Sequence, residues 1–207
     1  ESQVITNTSS TQSGTAALVE NSGNNDNVVT ATLPPGVSIT TEGSVDAEST
    51  TAAQDTLIAS IDTRDSSSET ELIDAAISFI QQLPQASMVD VRTIIPATTS
   101  SAPIQPIVIT GSTATATAAD NTQTEAFVID LTQMPSAAPT QLELHNIDFT
   151  LIIGPAVITG GSGSNIVLAD NAPQRIVLGE DDDTLDGGGG RDTIGSAAGD
   201  DLLIGGR

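Results

Sequence analysis

The 207-residue sequence lacks cysteine, tryptophan and tyrosine, and its only aromatic residues are three phenylalanines. Without cysteine the chain has neither a disulfide nor a thiolate metal site, so packing and hard cations are the stabilisers left to a secreted protein. The core has to be built from small branched side chains instead. A carbohydrate-cleaving site is disfavoured as well, because the chain has no tryptophan or tyrosine on which a sugar ring could stack.

Basic residues are also scarce, with 5 against 27 acidic residues and a formal net charge of -22. A chain this acidic repels polyanions, which argues against nucleic acid or an anionic membrane as a partner and favours cations. The apolar runs, such as 151–153, are far too short to cross a bilayer. The sequence does not open on a signal peptide, which fits a mature product, a fragment or another export route.

The first two-thirds of the chain divide into a polar segment and a β-rich module. Residues 1–26 are rich in Ser, Thr, Asn and Gln, and we expect a low-complexity arm that is either flexible or donates a strand to another subunit. Residues 27–150 begin with two strand-like segments around a Pro-Pro-Gly turn. From residue 88 onwards, apolar residues alternate with polar ones in segments rich in β-branched residues, which predicts several strands.

Two short helices are predicted within this module, near 52–61 and 69–83. Thr51 with Gln54, and Ser68 with Glu71, have the spacing of capping boxes. Each precedes an amphipathic stretch whose apolar stripe is typical of a packing face, and Pro84 ends the second one.

The last part of the chain repeats every nine residues from Gly160. Five consecutive units share one frame: GGSGSNIVL, ADNAPQRIV, LGEDDDTLD, GGGGRDTIG and SAAGDDLLI. The eighth position is always apolar, and with Ile158 of the preceding segment this row comprises Ile158, Val167, Ile176, Leu185, Ile194 and Leu203. The sixth position is Asn165, Gln174, Asp183, Asp192 and Asp201. An unstructured Gly-Asp linker has no reason to keep such an apolar row.

This period resembles the G-G-x-G-x-D-x-U-x nonapeptide of RTX (repeats-in-toxin) proteins, in which U is a large apolar residue. The fourth unit, GGGGRDTIG, matches at every defined position, and the other units match in part. The resemblance covers about the last quarter of the chain. It implies a mainly β fold in which residues 151–207 form a parallel β-roll, or solenoid, after a β-rich module that carries the two helices.

The resemblance also implies Ca²⁺ as the cofactor. In the β-roll of this family two units complete one coil, so sixth-position side chains two units apart face each other, and the glycines aim backbone carbonyls inward at positive φ. Asp183 with Asp201 is the expected best site, because it pairs two carboxylates. Asn165 with Asp183, and Gln174 with Asp192, carry less charge and are expected to bind more weakly. The expected metal-binding residues are therefore Asp183, Asp201, Asp192, Asn165, Gly179, Gly187, Gly189 and Gly199.

No catalytic constellation is evident in the sequence. There is no H-E-x-x-H, the single His145 cannot build a histidine zinc site, and GGSGS at 160–164 misses G-x-S-x-G at its last residue. We therefore expect a non-enzymatic protein that is secreted and calcium-binding, located outside the cell or at its surface. It would associate with itself as a surface-layer, matrix or filament building block. The alternative is a calcium-dependent folding and secretion appendage of a larger secreted enzyme, toxin or adhesin.

Overall fold

A computed structural model describes residues 2–19, 29–64, 67–98, 105–111, 123–135 and 139–207. The elements follow one another as β1 (Ser2–Thr6), β2 (Gly14–Val19), β3 (Val29–Leu33), β4 (Val37–Gly43), β5 (Glu48–Ser49), α1 (Thr50–Asp62), α2 (Glu69–Gln82), β6 (Met88–Thr98), β7 (Ile107–Thr110), β8 (Gln123–Asp130), β9 (Thr140–His145), β10 (Phe149–Ile153), β11 (Ala156–Gly160), β12 (Ile166–Ala169), β13 (Gln174–Val177), β14 (Thr184–Asp186), β15 (Thr193–Gly195) and β16 (Leu202–Ile204). The predicted mainly β fold with two helices is therefore confirmed.

The strands form two sheets, and from β6 onwards the chain alternates between them. The nine-stranded sheet has the order β1-β4-β6-β8-β10-β12-β14-β16, with β5 also paired to β6, and the seven-stranded sheet has the order β15-β13-β11-β9-β7-β3-β2. All pairs from β6 and β7 to the C-terminal end are parallel. The pairs that involve β1 to β5 are antiparallel.

The nine-residue period sets the register of the C-terminal strands. Val167 lies beside Leu185, and Leu185 beside Leu203, in the nine-stranded sheet. Ile158, Ile176 and Ile194 follow one another in the same way in the seven-stranded sheet. Each strand therefore pairs with the strand two units later, because the intervening unit supplies a strand to the other sheet.

The main core lies between the two sheets. It combines side chains from both of them, including Ile94, Phe127 and Val167 of one sheet with Ile109, Leu142 and Ile176 of the other. The eighth-position row is fully buried from Ile158 to Leu185, then partly buried at Ile194 and exposed at Leu203. Burial of branched apolar side chains at about 1.5–3 kcal/mol each is the main stabilising term for sheets that have so few aromatics.

A second core lies on the outer face of the nine-stranded sheet, where both helices pack. Phe79 of α2 stacks on Phe149 of β10, with ring centroids 4.3 Å apart. Ile166 and Leu168 of β12 pack against the same cluster. These two residues flank the eighth-position Val167, so this strand contacts the helical part of the molecule as well as the main core.

The helices start differently from the capping boxes that the sequence predicts. Ser49, rather than Thr51, is the N-cap of α1, and its side chain accepts a hydrogen bond from Ala52 N. Ser68 is the N-cap of α2 but makes no side-chain capping bond. Its hydroxyl instead accepts the backbone N–H of Asn171 at 3.1 Å, which ties the helix to the repeat region. Neither helix in the described ranges is long and apolar enough to cross a membrane.

The N-terminal segment and the repeats both belong to the same two sheets. Residues 2–6 pair with β4 and residues 14–19 pair with β3 of this same chain, which differs from an arm that is flexible or donated to another subunit. Residues 20–26 lie outside the described ranges. The predicted boundary between residues 150 and 151 falls inside β10, because the onset of the repeat changes the turn composition and leaves the strand pairing unchanged.

Candidate metal centre

The sixth-position residues lie at the strand entrances, in two columns that belong to the two sheets. Asn165, Asp183 and Asp201 directly precede β12, β14 and β16 of the nine-stranded sheet, and we call them the first column. Gln174 opens β13, and Asp192 directly precedes β15 of the seven-stranded sheet; they form the second column. Because neighbours within a column are 18 residues apart, side chains two units apart come together, as the repeat predicts.

Backbone N–H groups hold the carboxylates of the first column. Asn165 N donates to Asp183 Oδ1 at 2.8 Å, and Asp183 N donates to Asp201 Oδ1 at 3.0 Å. Ile147 N continues the series toward Asn165 Oδ1 at 3.4 Å. Charge-assisted bonds of this kind stabilise a carboxylate, so the stacked aspartates are partly compensated by the main chain itself. Nothing in the nonapeptide pattern predicts these backbone donors.

Asp183 is the most enclosed carboxyl group of the first column, with 2% of its surface exposed. Burial raises its pKa, and the charge of Asp201 acts in the same direction, whereas hydrogen bonds from Asn165 and Ser196 oppose the rise. Its second oxygen, Oδ2, accepts the Ser196 hydroxyl at 3.2 Å. Both oxygens of Asp183 therefore already have protein donors.

The second column contains two buried oxygen atoms without a hydrogen-bond partner, Gln174 Oε1 and Asp192 Oδ2. The two residues are joined by a bond from Gln174 N to Asp192 Oδ1 at 2.9 Å. The amide nitrogen of Gln174 is occupied, because it donates to Asp170 Oδ1 at 2.6 Å. Unsatisfied buried oxygens are costly, and they are the ligand atoms that a hard cation uses.

The hydrogen-bond geometry and the sequence therefore rank the two columns differently as candidate cation sites. Charge alone favours Asp183 with Asp201, but the atoms that lack a partner belong to Gln174 and Asp192. The difference arises because the number of carboxylates in a pair does not show which oxygens already accept hydrogen bonds. Both oxygens of Asp183 accept them from backbone or hydroxyl donors, whereas Asp192 Oδ2 accepts none.

The four predicted metal-site glycines have different physical roles. Only Gly199 has a positive φ, +133°. At Gly179 and Gly189 a Cβ would overlap the Gly161 carbonyl oxygen and Asn171 Oδ1 respectively, so these two positions need glycine because neighbouring turns pack closely. A Cβ at Gly187 would lie 3.3 Å from the Asp192 Cβ. Gly199 therefore has the positive φ expected of the turn glycines, whereas Gly179, Gly187 and Gly189 lie outside the left-handed region.

The other two acids of the Asp-Asp-Asp run, Asp181 and Asp182, are exposed, and both accept hydrogen bonds from the backbone. Asp181 Oδ2 accepts Gly163 N at 3.0 Å, and Asp182 Oδ1 accepts Asp200 N at 2.8 Å. These bonds link turns that lie 18 residues apart, at their solvent-exposed edge.

Sequence reasoning missed the buried Asp170, which lies at the second position of its unit. Its carboxylate accepts Gly154 N at 2.8 Å and Ala172 N at 2.9 Å, in addition to the Gln174 amide. The spacing of two residues to Ala172 N is typical of an Asx turn, which was the available local signal.

No set of three or more His, Cys, Asp or Glu side chains in the described ranges is grouped so that it could hold a metal ion by itself. Any cation at the columns would therefore also need amide, carbonyl or water oxygens. No protein-family model matches the chain, and neither a curated protein nor a solved structure matches it.

Proposed function

We propose that this chain is an extracellular calcium-binding structural protein whose C-terminal strands form a β-roll of the RTX type. The observation that carries the proposal is the pair of partnerless buried oxygens, Gln174 Oε1 and Asp192 Oδ2, within a stack that repeats every 18 residues. The stack, the glycine-lined turns and the acidic sixth positions all agree with the nonapeptide resemblance. We further infer that the protein is not an enzyme.

The donor set fits a hard divalent cation. Carboxylate, amide and carbonyl oxygens are the ligands of Ca²⁺, and the described columns contain no nitrogen or sulfur ligand that would favour zinc or copper. Bound Ca²⁺ would supply positive charge between stacked acidic side chains. Asp192 and Gln174 would form the site with the higher Ca²⁺ affinity. Asp183 and Asp201 would bind Ca²⁺ more weakly, because oxygens of both residues already accept hydrogen bonds from the protein.

The net charge gives this site its regulation. At the low Ca²⁺ of a cytosol the acidic turns repel one another, which keeps the repeats loose and suits type I secretion through a narrow channel. In extracellular modules Ca²⁺ dissociation constants of roughly 10⁻⁴–10⁻³ M are typical, so the sites fill after export. Binding energy then becomes folding energy.

We also propose that the chain associates with itself, as a lattice, matrix or filament does. In the part of the chain that the structure describes, four of the five exposed large hydrophobic residues lie on the two terminal strands of the nine-stranded sheet: Val4 on β1, and Leu202, Leu203 and Ile204 on β16. Open strand edges with apolar side chains favour pairing with another chain.

Calcium titration of the purified chain, followed by circular dichroism and thermal melting, tests the metal role. At about 10 mM Ca²⁺ each occupied site should add about 1.4–2.7 kcal/mol, which raises the melting temperature by about 3–10 °C per site. Asp192→Asn should remove much of this gain. Asp182→Asn is the matched control, since it removes the same charge from an exposed turn position. A melting temperature that does not respond to Ca²⁺ or EDTA would overturn the proposal.

A further inference from the structure

Three buried or half-buried acidic residues continue the first column into the non-repeat part of the nine-stranded sheet. Asp90 of β6 lies beside Glu125 of β8. The pairing of Phe149 with Ala126 then places Asp148 beside Glu125, and the pairing of Ile166 with Phe149 places Asn165 beside Asp148. One line of oxygen-bearing side chains therefore crosses six neighbouring parallel strands, and only its last three members belong to the nonapeptides.

Glu125 is the buried centre of this extension. Only 3% of its surface is exposed, and its Oε1 is buried without a hydrogen-bond partner. Its backbone N–H donates to Asp148 Oδ2 at 3.0 Å. Burial raises the pKa of Glu125 to about 9, with further contributions from a side-chain hydrogen bond to Asp148 and from the charges of Asp148 and Asp90. The carboxyl group is therefore protonated at neutral pH when no other cation is present.

None of the charged groups that shift Glu125 is basic. Among the described residues, the ion pairs of the arginines go elsewhere: Arg64 contacts Glu42 and Asp130, and Arg207 contacts Glu71. Arg92 of β6 donates to the carbonyls of Val91 and Val45. Its charge interacts with Asp90, Glu48 and Asp46, and neither Glu125 nor Asp148 is among these groups. A buried carboxyl group beside a second, half-buried carboxylate is stabilised by a proton or a metal ion shared between their oxygens, because no protein cation in the described ranges is paired with either of them.

We propose that Glu125 and Asp148 form a separate binding site for a hard divalent cation. The ion binds through oxygen lone pairs of the two carboxylates, and the single proton of Glu125 is released to solvent, so charge and atoms balance without any redox step. Asp148 is only half-buried and provides the approach from solvent. Asp90 adds negative charge from the neighbouring strand. The site needs two carboxylates, with backbone and water oxygens completing the shell, and is thus compatible with the absence of a three-carboxylate cage among the described residues.

Calorimetric titration of the full chain with Ca²⁺, and separately with Mn²⁺, tests this site. Titrations in two buffers with different ionisation enthalpies measure the protons released per ion. At neutral pH the wild type should release about one proton per chain on binding. Glu125→Gln should lose both this proton and about one bound ion. Glu143→Gln is the matched control, because it makes the same substitution on the other sheet and should behave as the wild type.

Two further measurements separate this site from the nonapeptide turns and from a folding defect. The double variant Asp183→Asn with Asp192→Asn should keep the proton release even where calcium binding by the turns is lost. Asp148→Asn keeps an acceptor for the Glu125 N–H, so it replaces Glu125→Gln if that variant does not fold. Equal ion stoichiometry and proton release in Glu125→Gln and wild type would overturn the proposal. A protonated-carboxyl infrared band that persists in the wild type at saturating Ca²⁺ or Mn²⁺ would overturn it as well, since the pair would then hold a proton alone.

Discussion

At the scale of single residues, the stacked acids are stabilised by the main chain before any metal is considered. One side-chain oxygen of each residue in the first column accepts a backbone N–H from the neighbouring strand segment 18 residues earlier, and Asn165 takes part in the same pattern as Asp183 and Asp201. An amide and a carboxylate are both suitable there because both present an acceptor oxygen. The stack itself therefore does not require negative charge, which agrees with the proposed role of the carboxylates in binding a cation.

The pH dependence of stability should report Glu125 directly. Its folded-state pKa of about 9 lies above its ordinary value of 4.5, so the folded chain binds one more proton than the unfolded chain between these values. Stability in EDTA should therefore fall as pH rises from about 5 to 9, by up to about 1.4 kcal/mol per pH unit from this group. Urea unfolding at a series of pH values measures the slope.

Glu125→Gln should flatten this part of the profile, because the amide does not titrate. Glu143→Gln should retain the slope of the wild type, which separates the buried carboxyl group from a general effect of lowering the net charge. A steep slope that survives in Glu125→Gln would assign the titration to another residue.

At the scale of elements, the nonapeptide repeat predicted the C-terminal strands, but it gave no indication that Asp90, Glu125 and Asp148 continue the first column. The eighth-position row defines both which side chains face the core and which strands pair, since each pair is two units apart. Asp90, Glu125 and Asp148 follow no such period: they are separated by 35 and 23 residues. Segments of different length, each with a strand of the other sheet, separate their strands along the chain, so only the strand register brings the three residues together.

The helices and the N-terminal strands illustrate a similar limit. Apolar stripes located both helices, but Ser68 bonds to Asn171, about a hundred residues later in the chain, and no local capping pattern anticipates such a contact. The strands β1 and β2 are short, with five and six residues, and they pair with the edges that β4 and β3 offer. Tertiary contacts therefore determine the strand pairing of these segments, which their weak local propensity does not specify.

The loss of stability on truncating an eighth-position side chain should depend on where its repeat unit lies in the sheet. Ile176→Ala removes a fully buried side chain from between the sheets, and we expect a loss of about 2–5 kcal/mol in the free energy of unfolding. Leu203→Ala changes the same repeat position on the last strand, where 42% of the side chain is exposed, and should cost less than about 1 kcal/mol. Chemical denaturation at low protein concentration measures both values. Equal losses would mean that the core does not end where the structure places it.

At the scale of the whole molecule, one continuous core joins antiparallel strands at one end to parallel repeats at the other. The nine-stranded sheet ends in β1 on one side and in β16 on the other. The formal charge of -22 keeps free molecules apart at low ionic strength, and divalent cations or salt reduce this repulsion. Association through the sheet ends should therefore require calcium or high salt.

Charged substitutions at the two ends test this association. Val4→Lys and Ile204→Lys place a charge on exposed apolar positions of β1 and β16, and each should lower the apparent mass measured by light scattering in calcium buffer. Gln141→Lys adds the same charge to an exposed position of β9, an interior strand, and controls for the reduced net charge. A smaller net charge by itself favours association. A decrease in apparent mass that occurs only in the two end variants would therefore identify the edge strands β1 and β16 as the contact surfaces between molecules. A wild type that stays monomeric at high concentration in calcium, or a control that dissociates equally, would contradict the proposed assembly.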